Sequence, residues 1–202
     1  MNIYNICETV FTKCIETYHI NDNIDTLINN PYKKNTIENR LYKKSWIDTV
    51  QWHLEDIIRD PDIKPLEALA IKRTIDKSNQ VRTDMVEEID EYFKDLYADV
   101  KISPDARLNT ESPAWAIDRL SILYLKVYHW NIEAERTKGT ERYSFCKSKL
   151  DIMLEQKKDL SLSINQLIND IGNGKVYMKT YQQAKMYNDP SLNPILYKQN
   201  KK

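Results

Sequence analysis

The chain has 202 residues with only 3 glycines and 7 prolines. That length suits one domain able to bury about 70% of the surface its unfolded form exposes, and the low Gly and Pro content excludes collagen-like, linker-rich and turn-dense all-β architectures. Acids and bases balance at 30 each, which removes the compositional argument for a nucleic-acid or anionic-membrane partner.

The first twenty residues place Ile3, Cys7, Val10, Cys14 and Tyr18 at steps of four and three, with Ile6, Phe11 and Ile15 beside them. This is the period of an amphipathic helix. The segment has no basic leader and no unbroken apolar run, so it does not read as a signal peptide. No stretch of the chain approaches the 18 or so uninterrupted apolar residues of a membrane span. Cys7, Cys14 and Cys146 form an odd set without a CxxC pair, which points to a reduced, cytoplasmic protein without disulfides. Cys7 and Cys14 lie on the apolar stripe and read as small buried hydrophobes.

A polar connection over 21–35 leads to a second helix that starts near Thr36 and runs to about Asp60, with a core stripe of Ile47, Val50, Leu54, Ile57 and Ile58. Asp60-Pro61-Asp62 stops it. The link to Pro65 is short, so the third helix returns antiparallel. That helix extends to about Ala98 along Ile71, Ile75, Ser78, Arg82, Met85/Val86, Ile89, Phe93 and Leu96. More than thirty residues make it about 50 Å long. A second irregular connection ends at Ser112-Pro113, a hydroxyl N-cap followed by proline at the first helical position. The fourth helix, 113–136, is apolar nearly all round and therefore central. A fifth runs from beyond Gly139 to Gly172, with Lys157 interrupting its stripe. A short sixth is expected over about 175–187, with an extended tail from about 188. No repeat and no sign of a parallel sheet is present. The reading is a single all-α domain, an antiparallel bundle of about six helices.

Lysine outnumbers arginine, as codon pressure in an AT-rich genome produces. The eight arginines are then weakly enriched where a planar fork is needed. Arg82 stands at the centre of the third helix's apolar stripe, where a guanidinium must pair with a carboxylate or reach a cavity; Asn79 lies one turn away. On the second helix Asp48, Trp52, Glu55 and Arg59 line up at steps of four, three and four. Glu55 and Arg59 form an i,i+4 pair worth about 0.3–0.5 kcal/mol if exposed. His53, Asp56 and Asp60 lie on the next face, which reads as solvated. Asp118 and Arg119 interrupt the fourth helix near its N-terminus, where an anion is favoured.

His19, His53 and His129 are scattered, with no HxxH or HExxH spacing, so no His/Cys zinc site and no cofactor is expected, and the one metal chemistry left open is carboxylate-only Mg²⁺ binding at Glu55, Glu87 and Asp90. Gly-rich phosphate loops and GxSxG elbows are absent. Glu87-x-x-Asp90, facing Glu55 or Asp56, loosely resembles the paired acidic helices of all-α nucleoside-triphosphate pyrophosphohydrolases, but the first EExxE-type block of that family is missing.

The strings SWIDTVQWHLEDIIRDP (45–61), SNQVRTDMVE (78–87), NTESPAWAIDRLSIL (109–123) and KMYNDP-x-LNP (185–194) together resemble a bacterial family known as domain of unknown function 4254. The resemblance spans nearly the whole chain. It implies a stand-alone intracellular protein of about this length, and no activity.

Two functional classes follow from the residues. In the first, Asp48, Trp52, Glu55, Arg59, Asn79, Arg82, Trp115, Asp118 and Arg119 build a pocket for a small anionic ligand, such as a phosphorylated metabolite, where helices two, three and four meet. Glu55 or Asp118 would be the acid/base group and the arginines would stabilise charge. In the second, these charges are structural salt bridges of an interaction or scaffold protein, and Tyr181, Tyr187, Leu192, Ile195, Leu196 and Tyr197 contact a partner. Neither a monomer nor a homo-oligomer is excluded.

Overall fold

A computed structural model describes residues 2–181, 189 and 191–198. Among them are six helices, α1 Ile3–Tyr18, α2 Ile37–Ile57, α3 Pro65–Leu96, α4 Pro113–Arg136, α5 Tyr143–Gly172 and α6 Pro194–Lys198. A pair of two-residue strands, β1 Arg107–Leu108 and β2 Val176–Tyr177, completes the fold. No described helix is long and apolar enough to cross a membrane.

Local chemistry sets the helix starts. Asn2, Thr36 and Ser112 each accept a hydrogen bond from the backbone N–H three residues on, supplying partners to first-turn donors that the helix leaves unpaired. Pro65 and Pro113 occupy first-turn positions, where the missing N–H costs nothing.

Side-chain pairs give the helix directions. Arg40 meets Glu88, Asp48 meets Arg82 and Gln51 meets Asn79, so α2 and α3 are antiparallel. Arg82 meets Asp118 while Asp90 meets Ser112, so α3 and α4 are antiparallel too. Ala134 packs with Cys146 and Leu150 at one end of the α4–α5 pair, and Ile122 and Leu160 share a cavity wall near the other. Helices α2 to α5 therefore run alternately up and down. Helix α1 departs from that alternation. Cys14 donates to the Tyr42 carbonyl, and Tyr18 packs edge-on against Trp46, so α1 lies parallel to α2. The long 19–36 connection allows this.

The core gathers Ile3, Cys7, Val10, Phe11 and Cys14 from α1, Leu41 and Tyr42 from α2, Val86, Ile89 and Phe93 from α3, Ile117, Leu120 and Leu125 from α4, and Ile164 and Ile168 from α5. All three cysteines are free and buried. Lys157, the polar break in the α5 stripe, lies over the Tyr124 ring at 4.6 Å and reaches Glu8 at 3.4 Å.

Three expectations are corrected. In α2 only Leu54 of the stripe Ile47, Val50, Leu54, Ile57 and Ile58 is buried. The inward face instead carries Lys44, Ser45, Asp48, Thr49 and Gln51. A helix rotates its charged side inward only when other helices supply counter-charges, and here they do. Residues 176–177 form a strand rather than part of a helix, and the expected helical residues 182–187 lie outside the described residues. The strand pair itself is a short parallel ladder of Arg107 with Val176 and Leu108 with Tyr177, too brief to leave a period-2 signature. Gly174 makes it possible: its φ is +68°, and an added Cβ would sit 2.2 Å from the Lys101 carbonyl oxygen. Only glycine fits there.

Candidate functional site

The polar face of α2 meets α3 and α4 in a closed set of charges. Lys44 Nζ contacts Asp48 Oδ2 on its own helix and Asp118 Oδ1 at 2.6 Å. Arg82 Nε bonds Asp48 Oδ1 at 2.7 Å, and its Nη2 reaches Asp118 Oδ1 at 3.4 Å. Ser121 donates to Asp48 Oδ2 at 2.6 Å. Lys44 and Asp48 have no exposed side-chain surface, whereas Arg82 retains 24%. Two cations face two carboxylates, so each buried charge is compensated. This is the condition under which a low-dielectric interior tolerates charge. Arg82 therefore has the carboxylate partners its place on the stripe demands.

Arg82 also lines a cavity of about 420 Å³, together with Asp48, Gln51, Trp52, Glu55, Asp56, Arg59 and Ile122. Such a volume suits a small metabolite. A guanidinium carries five N–H donors in a rigid fork; Asp48 and Asp118 take two, and the rest of the edge is available to the cavity. Gln51 is nearly buried, and its Nε2 donates to Asn79 Oδ1 at 2.7 Å. Its Oε1 is buried without a hydrogen-bond partner. Arg59 is largely exposed and pairs with Glu55 through its carboxylate at 3.1 Å and through its backbone carbonyl.

The structure thus brings Asp48, Trp52, Glu55, Arg59 and Arg82 to one cavity. Asn79 is not in the lining and acts on it through Gln51. Asp118 closes the charge network from α4 and lines a second cavity of about 600 Å³ with Arg119, Lys126, Gln156 and Asp159. Ile122 borders both cavities. Arg119 binds Glu111 at 2.7 Å and does not converge with Arg59 and Arg82. Trp115 packs against the core and lines neither cavity. Asp90 is buried against Ser112, and Glu88 beside it pairs with Arg40. Glu87 and Asp90 therefore stand about four helical turns from the level of Glu55, and the paired-acid arrangement does not form. Sequence reasoning missed Lys44 and Gln51, although both share a face with Asp48 and Glu55 at helical spacing.

The three histidines, distant in sequence, meet. His19 follows α1, His53 comes from the end of α2 and His129 from the second half of α4. One ring nitrogen of each lies within 4.8 Å of the other two. His53 Nε2 is 3.2 Å from His19 Nε2, and His19 Nδ1 is 2.7 Å from the Ile15 carbonyl oxygen. His129 stacks on Trp52, and its Nε2 is buried without a partner. Burial, with the neighbouring histidines adding to it, lowers the pKa of His129 to about 4. Burial lowers that of His53 as well, against the opposing field of Asp22. On the face of His53, Asp56 and Asp60, the two aspartates are exposed as expected and only His53 is half-buried. Spacing rules detect ligand pairs within one helix and are blind to a cluster assembled from three.

The chain belongs to the family described as "Protein of unknown function (DUF4254)", which matches residues 38–180. That span covers α2 from its second residue, α3 to α5 and all residues of the cavity. No curated protein and no solved structure matches the chain.

Proposed function

We propose that the cavity between α2, α3 and α4 binds a small anionic metabolite of sugar-phosphate size. The observation that carries this reading is Arg82. Two carboxylates fix its guanidinium in place while it still lines an open cavity, so its remaining donors are preorganised for an oxyanion. Arg59 at the rim supplies a second, adjustable cation. Glu55 and Asp56 accept hydrogen bonds from ligand hydroxyls, and Trp52 offers a flat apolar wall. Phosphate on the arginines and hydroxyls on the acids match the mixed charge of the lining.

If a reaction follows binding, Glu55 is the acid/base group, because it borders the cavity and remains half-exposed. Asp118 holds Lys44 and Arg82 at once, which suits positioning rather than proton transfer. The neutral Lys44–Asp48–Arg82–Asp118 set also supports a second reading. In that reading the charges serve only to fix helix register in an interaction protein, whose exposed Tyr181, Leu192, Ile195 and Leu196 contact a partner. Of the other contact candidates, Tyr187 lies outside the described residues.

Thermal unfolding with inorganic phosphate and a series of sugar phosphates separates the two readings. Binding raises the melting temperature following RT ln(1 + [L]/Kd), and Arg59→Lys weakens the effect because an ammonium lacks the bidentate fork. No stabilisation at millimolar concentration, or stabilisation indifferent to Arg59→Lys, overturns the ligand reading and favours the structural one.

A further inference from the structure

We propose that His19, His53 and His129 form a binding site for one divalent transition-metal ion of the zinc class, with its fourth coordination position open to water. None of the three lines the anion cavity, so this inference stands apart from the function proposed above.

The geometry is close to what such an ion requires. In a tetrahedral site with nitrogen at about 2.0–2.1 Å from the metal, the ligand nitrogens stand about 3.3 Å apart. His19 Nε2 and His53 Nε2 already lie 3.2 Å apart. The third imidazole nitrogen falls within 4.8 Å of both, a distance that small ring rotations close. His19 is oriented as metal-bound histidines are. Its Nδ1–H donates to the Ile15 carbonyl, which fixes the tautomer and leaves the Nε2 lone pair directed at the cluster.

A second observation comes from His129. Its Nε2 is buried and has no hydrogen-bond partner, a costly condition for a polar atom that a metal bond removes. Trp52 and Tyr18 brace the site by stacking on His129 and His53. Asp22 lies 3.6 Å from His53 Nε2 and is well exposed. It supplies negative charge beside the cation and marks the side open to solvent. Imidazoles without thiolates suit Zn²⁺, Cu²⁺ or Ni²⁺ over Mg²⁺ and Ca²⁺.

The test uses the full chain stripped with a chelator, then titrated with Co²⁺ and, by calorimetry, with Zn²⁺. One ion per chain is expected, with the intense visible absorption of four-coordinate Co²⁺. His129→Asn and His53→Asn should each weaken uptake at least tenfold, while His129→Asn retains its far-ultraviolet circular dichroism. Because a variant can fail to fold, the unmodified protein is also followed by ¹⁵N imidazole resonances during Zn²⁺ addition. Shifts at all three histidines with saturation at one equivalent support the site. Shifts at none, uptake unaltered in folded variants, or the same resonance changes with Mg²⁺ overturn it.

Discussion

The indole of Trp52 lies over the imidazole of His129 with ring centroids 4.8 Å apart and planes 5° from parallel. Trp52 also lines the 420 Å³ cavity beside Arg82, so one side chain stands between the charge network and the histidine cluster. Asp56 links the two in a different way. It lines the cavity, and its negative field acts on both His53 and His129. The two polar regions share α2 as a common wall, and substitutions on one helix turn are expected to register in both.

Asp48→Ala removes the carboxylate that two cations and a serine hydroxyl share, leaving Lys44 fully buried beside Asp118 alone. The expected loss is about 3–5 kcal/mol, the range for breaking a buried pair. Arg82→Ala should cost less, about 2–3 kcal/mol, because Arg82 is partly solvated, Lys44 still contacts both carboxylates, and the one negative charge left uncompensated is shared with the partly exposed Asp118. Arg59→Ala and Arg119→Ala, both at exposed pairs, should cost under about 1 kcal/mol. Urea denaturation with comparable m-values ranks the four, and an Asp48→Ala loss no larger than that of Arg59→Ala would contradict the network.

Stability should fall with acid in a window set by the histidines. An unfolded histidine takes its proton near the ordinary value of 6.5, whereas folded His129 holds off until about 4. The unfolded chain thus binds more protons between those values. The stability from this group is complete above pH 6.5 and is lost as pH falls toward 4. His53, shifted in the same direction, adds to it. Partial solvent access reduces the effect to about 1–2 kcal/mol for His129. Denaturation at pH 7 and pH 4.5 measures it, and His129→Gln should flatten the profile.

Native protein should resist thiol reagents. Cys7, Cys14 and Cys146 are all buried, and burial pushes the Cys14 thiol up to about 12 and raises that of Cys7. Almost no thiolate, the reactive form, exists at Cys7 and Cys14 at neutral pH. Labelling at pH 8 should proceed only at the rate of unfolding and then reach three thiols. Rapid modification of Cys7 or Cys14 in the folded protein would contradict their burial in the α1 packing.

Gly174→Ala and Gly139→Ala separate two costs of replacing glycine. Both residues have positive φ, but only Gly174 faces a backbone carbonyl that a Cβ would strike. Gly139→Ala carries the conformational penalty alone, about 1 kcal/mol. Gly174→Ala adds displacement of the 101–103 backbone and loss of the Ser103 N–H bond to the Gly174 carbonyl, for at least about 2–3 kcal/mol. Equal melting temperatures in the two variants would contradict the tight approach of the two chain segments.

The helices α1 to α5, their order and the starts at Thr36, Pro65 and Ser112-Pro113 were determined by the sequence alone, because apolar period and first-turn chemistry are local properties. Ile3, Cys7, Val10, Cys14 and Tyr18 announce the buried face of α1, and Ser112-Pro113 announces the start of α4. Even the pairing of Arg82 was legible, since a guanidinium among apolar neighbours requires an acid. Tertiary structure decided which acid, and it decided the rotation of α2. Ile47 and Val50 have the hydrophobicity to face inward, yet Lys44 and Asp48 are buried in their place because Arg82 and Asp118 wait on α3 and α4. The histidine cluster belongs wholly to that second level. His19, His53 and His129 follow no common period, and they converge only because α1 runs parallel to α2 and α4, which brings three helix segments to the same end of the bundle. Hydrophobic period records how strongly one helix face leaves water; it carries no information about where charges and lone pairs from different helices will meet.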